Sequence, residues 1–302
     1  MPRLLVLLAA VCFGTTGTAQ ALGPDGASSM TVGAARIAVG AVLLLAYEWA
    51  TTRSRVTADV HTTSAVTRIA WSRVPLAIGA VGVAAYQLCF FAAVKDTGVA
   101  VGTVVALGSA PALAGLGGWL LDGRVPGRAW AVATALACAG VAMLALEGGG
   151  EVSAPGVALA VGAGAAYAGF TLASKRLLDQ GHQVEPVMAR LFGLGAVLLA
   201  PVLVLGDVAW IATAGGAAMA LWLGAVPTAI AYILFASGLR HLPANEVATL
   251  TLAEPVTAAL LGAVVLGERP GVVAIAGIFI ILAGLVVLAA PRRRRPVLEI
   301  PA

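Results

Sequence analysis

Charge is scarce in this sequence: Asp, Glu, Lys and Arg together make 11% of the residues, against about 25% in an ordinary soluble domain. So few polar groups cannot coat a globule in water, which excludes the usual soluble enzyme or binding module. Reactive side chains are scarce too. Cys12, Cys89 and Cys138 are the three cysteines, all within apolar stretches, with no CxxC spacing and no histidine beside them. They read as small packing residues and imply neither a disulfide nor a metal site. His61, His182 and His241 are scattered in polar segments. No GxSxG, HExxH or P-loop pattern occurs, so no catalytic residue, metal or cofactor is expected. A lipid-modifying membrane enzyme would need paired carboxylates or histidines near an interface, and these are lacking. No nucleotide-binding cassette or soluble domain is expected, so any driving energy has to come from a gradient, or there is none.

What the chain does have is apolar length. Hydrophobic residues make 60% of its 302 positions and the mean hydropathy is +0.99. A helix needs about 20 apolar residues to cross a bilayer, and ten stretches qualify: 3–21, 28–50, 74–94, 97–120, 128–146, 155–175, 186–205, 214–238, 245–267 and 271–290. The expected fold is therefore an all-α membrane protein. Arg3 followed by Leu4 to Val11 imitates a secretory signal, but the segment continues through Thr15, Thr16 and Gln20 to full span length and is kept as a helix. The longest loop, from Thr51 to Arg73, is polar, with room for a surface helix. With the N-terminus in the cytoplasm, fourteen of the eighteen basic residues fall on the cytoplasmic side, including Arg3, Arg53, Arg124, Lys175, Arg240 and the Arg292–Arg295 run. Only Lys95 and Arg269 fall outside. By the positive-inside rule both termini are cytoplasmic, and the arginine run reads as an anchor on anionic lipid rather than a nucleic-acid contact. Trp49, Trp71 and Trp210, near span ends, read as interfacial anchors.

The chain also says the same thing twice. A shift of 144 positions places Pro111 on Pro255, Gly123 on Gly267, Pro126 on Pro270, Gly127 on Gly271 and Gly140 on Gly284. Nearer the start of each half, Ala35-Arg36 returns as Ala189-Arg190, and Gly-Ala-Val-Leu-Leu from Gly40 returns from Gly195. Residues 1–148 and 149–302 form the two halves, the second ending in the basic tail. Each half has five spans, an odd number, so the second enters the membrane from the opposite side. Inverted repeats of this kind are the signature of alternating access around a site near the bilayer midplane.

The segment Ala253-Glu254-Pro255 through Leu266-Gly267-Glu268-Arg269 to Ala283-Gly284 resembles the EamA repeat of the drug/metabolite transporter superfamily. The first copy, with Ser109-Ala110-Pro111 and Asp122-Gly123-Arg124, departs from it. The resemblance implies ten helices around a central cavity lined mainly by helices 1, 3, 4, 6, 8 and 9. Members similar to this one export amino acids and other small metabolites across the bacterial inner membrane, whereas eukaryotic relatives exchange nucleotide sugars and triose phosphates. Fold analogy alone does not choose among these substrates.

Several residues are candidates for the site. Glu254 is the one carboxylate near the middle of a span, where a charge costs roughly 2.5–3.5 kcal/mol and should face the bundle interior. Three roles fit it: a proton-coupling group, a partner for a substrate amine, or a support for the backbone that Pro255 leaves without a hydrogen bond. Arg36 and Arg190 occupy equivalent places near opposite faces, as gate ties or snorkelling ends or as contacts for an anion. Helical spacing gathers Phe13, Thr16 and Gln20; Tyr86 and Phe90 with Gln87; Gly164, Tyr167, Thr171 and Ser174; and Thr228, Tyr232 and Phe235. Such stripes either line a cavity or bond helices to one another.

The expected substrate-binding set is Phe13, Thr16, Tyr86, Gln87, Tyr167, Thr171, Tyr232 and Glu254, with Arg36, Arg190, Pro111 and Pro255 as gating or structural positions. Without a central cation cluster, phosphates and nucleotide sugars are disfavoured. A zwitterion suits Glu254 for its amine, with tyrosine hydroxyls or helix dipoles for its carboxylate. The expected activity is therefore export of small amphiphilic metabolites, amino acids first. The rival readings are an exporter of drugs or chemically unrelated metabolites and a non-transporting membrane subunit. Expected partners are the small-molecule substrate and membrane lipid, and monomer and homodimer are both open.

Overall fold

The structure, a computed structural model, describes residues 1–59, 70–123, 125–145 and 153–289. These form ten long helices: α1 (Pro2–Ala21), α2 (Ser29–Asp59), α3 (Arg73–Gly98), α4 (Val101–Asp122), α5 (Arg128–Ala145), α6 (Ala154–Asp179), α7 (Val184–Leu205), α8 (Ala214–Leu239), α9 (Ala244–Val265) and α10 (Val272–Ala289). Nine are long and apolar enough to cross a membrane, and α5 carries a slightly shorter apolar core, Arg128–Leu144. Helices are the natural outcome for such a chain, because lipid offers no partner to a backbone N–H or C=O and each must be satisfied within its own segment. α2 runs past the expected limit at residue 50 to Asp59. Most of the expected loop beyond it, the Arg124 side of the 4–5 turn, residues 146–152 and the Arg292–Arg295 run lie outside the described residues.

The repeated residues have structural reasons. Gly123 and Gly267 follow the ends of α4 and α9 at φ 67° and 71°, in the left-handed region where glycine alone is free of strain. α5 and α10 pack backbone to backbone. A Cβ at Gly140 would lie 2.5 Å from the Gly277 carbonyl oxygen, and one at Gly284 would lie 2.8 Å from that of Ala133. The 144-residue shift carries Gly140 onto Gly284 and Ala133 onto Gly277, so these two contacts are images of one another. That is what a two-fold axis between inverted halves requires.

The end of the bundle that carries Met1 is here called the proximal face. α1 is built into the core: Val6, Ala9 and Ala10 are fully buried, and Gly238 of α8 leaves room for Val6. At the distal face, Trp210 is buried with Val32, Ala35, Met219, Ala220 and Leu223, and its indole N–H donates to Thr31 Oγ1 at 3.1 Å. Trp210 is therefore a packing residue rather than an interfacial anchor, because the short 3-10 turn Ala209–Ala212 folds it back over the bundle. Trp49, by contrast, is 59% exposed beneath the Arg53 guanidinium.

Trp71 has a third role, at the proximal face. It stacks on His182 with ring centroids 3.9 Å apart and lies 4.2 Å from the Arg190 guanidinium, which also pairs with Glu48 at 2.8 Å. Burial and then the Arg190 charge pull the His182 imidazole below its ordinary 6.5. The unfolded chain thus binds more protons just below that value, and stability falls as pH drops through it. The melting temperature in detergent should decline between about pH 7 and 5, and His182→Gln should flatten that part of the profile. A variant that melts with the parent's pH dependence would show that His182 does not titrate in the fold.

Candidate functional site

Midway along the bundle the aromatic side chains form one connected box. Tyr232 of α8 lies 4.4 Å from Phe192 of α7, 4.9 Å from Phe13 of α1 and 5.4 Å from Phe170 of α6, centroid to centroid. Tyr167 bridges to Tyr86 at 6.1 Å and to Phe235 at 6.2 Å. Tilted and edge-on geometries at these distances are the favourable ones for aromatic pairs. The box encloses only about 10 Å³, lined by Arg36, Tyr86, Gln87, Tyr167, Phe170, Phe192 and Tyr232 among others, which is room for no more than a single water.

The two equivalent arginines have diverged. Arg190 is satisfied: besides Glu48 and Trp71, its Nη1 donates to the Pro186 carbonyl at 3.2 Å. Arg36 instead turns into the aromatic box, where its Nε is buried without a hydrogen-bond partner.

Two helices beside the box are broken, and both breaks follow from proline. In α8 the segment Ala225–Ile230 is a π turn around Pro227. Pro227 cannot donate to the Leu223 carbonyl, and Thr228 Oγ1 does so at 2.7 Å. Thr228 thus packs against Gly40 of α2 and does not share a cavity face with Tyr232. The inserted turn defeats the regular i, i+4 spacing. In α9 the residues Thr251–Ala253 form a 3-10 turn ahead of Pro255, and the Glu254 backbone N–H donates to the Thr251 carbonyl that the proline leaves open. The backbone there is satisfied without the Glu254 side chain, which accepts no hydrogen bond among the described residues. Its charge lies within electrostatic range of Arg36, Tyr86, Tyr167 and Tyr232, yet it forms no salt bridge with Arg36.

A larger cavity, about 460 Å³, opens on the proximal face. Its walls include Gly115, Gly118 and Trp119 of α4, Trp130 of α5, Leu172, Lys175 and Arg176 of α6, and His241 to Glu246 leading into α9. Glu246 is held by Arg3 at 2.7 Å, and Trp130 Nε1 donates to Thr249 Oγ1 and the Asn245 carbonyl, both at 3.0 Å. One helical turn deeper on each of three walls stand Ala114, Ala168 and Ala248, all buried and in one cluster with Tyr167. They form a packed waist that separates this vestibule from the aromatic box. Past it, Gly164 is pressed against Ser109 of α4, and the Tyr167 hydroxyl donates to Thr251 Oγ1 at 3.2 Å.

Of the residues expected from sequence, Tyr86, Gln87, Tyr167 and Tyr232 line the box, Phe13 packs at its edge and Glu254 stands beside it. Thr16 and Thr171 do not join the lining; their hydroxyls donate to the Phe13 and Tyr167 carbonyls of their own helices at 2.7 and 2.8 Å. Pro111 is buried within α4 and Pro255 marks the α9 break. The lining comes from α2, α3, α6, α7 and α8; of the other helices expected there, α1 and α9 stand beside the box, and α4 and the start of α9 line the vestibule. Phe170 was within reach of the same helical spacing that selects Tyr167. Phe192 and the vestibule residues carry no sequence signal, since only the packing of separate helices unites them.

The sequence model of the EamA-like transporter family matches residues 2–146 and again residues 154–290. The uncharacterized transporter YwfM of Bacillus subtilis (strain 168) is 41% identical over 294 residues, covering 97% of this chain and 95% of its own. A transporter of Archaeoglobus fulgidus is 30% identical over 133 residues, 44% of this chain and 47% of its own. A solved crystal structure superposes with a TM-score of 0.77 over 95% of each chain at 21% identity, a likeness of fold.

Proposed function

Because the chain belongs to the EamA-like transporter family, as an integral membrane bundle of ten helices in two inverted repeats, we propose that it is a secondary transporter exporting small amphiphilic metabolites, amino acids foremost, by alternating access. The observation that carries this reading is the carboxylate of Glu254 beside an aromatic box, with its hydrogen-bonding capacity unused and a cation kept apart from it. A substrate amine would neutralise that carboxylate, and an apolar side chain would displace aromatic contacts as the box widens. Proteoliposomes loaded in turn with each of the twenty amino acids test it. Efflux of at least one above protein-free vesicles is expected, and efflux of none would remove the amino-acid reading.

The positive-inside bias supports a bacterial cytoplasmic membrane with the proximal face inside. The vestibule then opens to the cytoplasm and the Trp210 cluster packs at the other face, an arrangement that suits an exporter ready to load. In intact cells, with the native cysteines removed, a cysteine at Asp207 should react with an impermeant maleimide and one at Gln180 only after permeabilisation. The reverse pattern would invert the orientation.

A further inference from the structure

We infer that Arg36 is the anchor for a substrate carboxylate, and that the transported molecule is recognised as a zwitterion held between Arg36 and Glu254. The inference rests on the amino-acid reading above and deepens it by assigning the second charge. Three observations carry it. First, a guanidinium is a fork of donors that stays charged in proteins. Leaving one of its N–H groups buried and unpartnered is costly, and the Arg36 Nε is such a group. Second, its side chain lines the box with Tyr86, Gln87 and Tyr167, so a ligand that widens the box would come against it.

Third, the fold supplies its own control. Arg190, the same residue in the other half, is held by Glu48, the Pro186 carbonyl and Trp71, which leaves it a structural part of the proximal face. A second structural arginine would have been given comparable partners. Glu254 is close enough for its charge to act on Arg36, but the two do not collapse into an ion pair. Opposite charges kept apart at one small aromatic box match the ammonium and carboxylate of an α-amino acid. Neither a plain amine nor a plain carboxylate would satisfy both.

The test compares, in proteoliposomes, the best-exported amino acid with its carboxamide, which keeps the side chain and amine and lacks the carboxylate. The parent protein should favour the acid. In Arg36→Gln the acid-over-amide preference in kcat/KM should fall by about 10- to 150-fold, the worth of a charge-assisted hydrogen bond, and Arg36→Lys should retain part of it. Arg190→Gln should lower the melting temperature and keep the preference. An unaltered acid-over-amide ratio in Arg36→Gln, or an equal loss of both substrates, would overturn the assignment and leave the amino-acid reading standing. If the parent exports no amino acid, that reading fails, and the assignment with it. Arg36→Met, with a stem of similar length, repeats the comparison should the glutamine variant melt below the assay temperature.

Discussion

Glu254→Gln should raise the apparent KM for exported amino acids by roughly 10- to 150-fold, because a hydrogen bond to a charged group contributes about 1.5–3 kcal/mol. The effect should fall on substrates with a free ammonium. A deaminated analogue that keeps the carboxylate should lose far less. Folding should be little affected, since the Thr251 carbonyl freed by Pro255 is taken by the Glu254 backbone N–H and not by its side chain. Two other outcomes would point elsewhere. A glutamine variant that exchanges substrate normally but no longer responds to an imposed pH gradient would make Glu254 the coupling carboxylate. A variant that transports like the parent, with Glu254→Leu merely less stable, would return the residue to a structural role.

The second large effect is expected at the waist. Ala114, Ala168 and Ala248 are buried to within a few per cent between the vestibule and the box, so a substrate passing from one to the other has to part them, and a bulky group at any of them should block that route. A large residue introduced genetically would also overpack the helices, typically by 1–3 kcal/mol, which confuses blockage with misfolding. A cysteine at Ala168 avoids this, because it is small enough to fold first and be modified afterwards. In a background without the native cysteines, Ala168→Cys should export at near the parent rate. Reaction with a methanethiosulfonate reagent from the proximal side should then abolish export, and saturating substrate should slow that reaction. Full activity after complete modification would place the route somewhere other than this waist. The same reagent at a cysteine replacing Leu194, exposed on the outside of α7, should leave export unchanged.

Much of this protein was legible in one dimension because lipid simplifies the physics. With no water to satisfy the backbone, apolar length means helix, and the ten runs match the ten long helices among the described residues, with ends that differ by a few residues, most at α2. Repetition at 144 residues, with five spans in each half, was enough to imply inverted halves, and the glycines behind it do what a glycine must do, at positive φ after α4 and α9 and at backbone contacts between α5 and α10. The tyrosines of the box were visible as polar marks on otherwise apolar faces. What the sequence could not decide is how like residues differ in their surroundings. Arg36 and Arg190 read alike along the chain. Packing handed Glu48 and Trp71 to one and left the other facing an aromatic box, because partners across helices are set by which faces meet, and a residue's neighbours in sequence do not reveal that. The same holds for Thr228, displaced by a π turn, and for Trp210, folded inward by a short 3-10 turn. It holds above all for the three alanines of the waist, ordinary residues that matter only because α4, α6 and α9 bring them to one level.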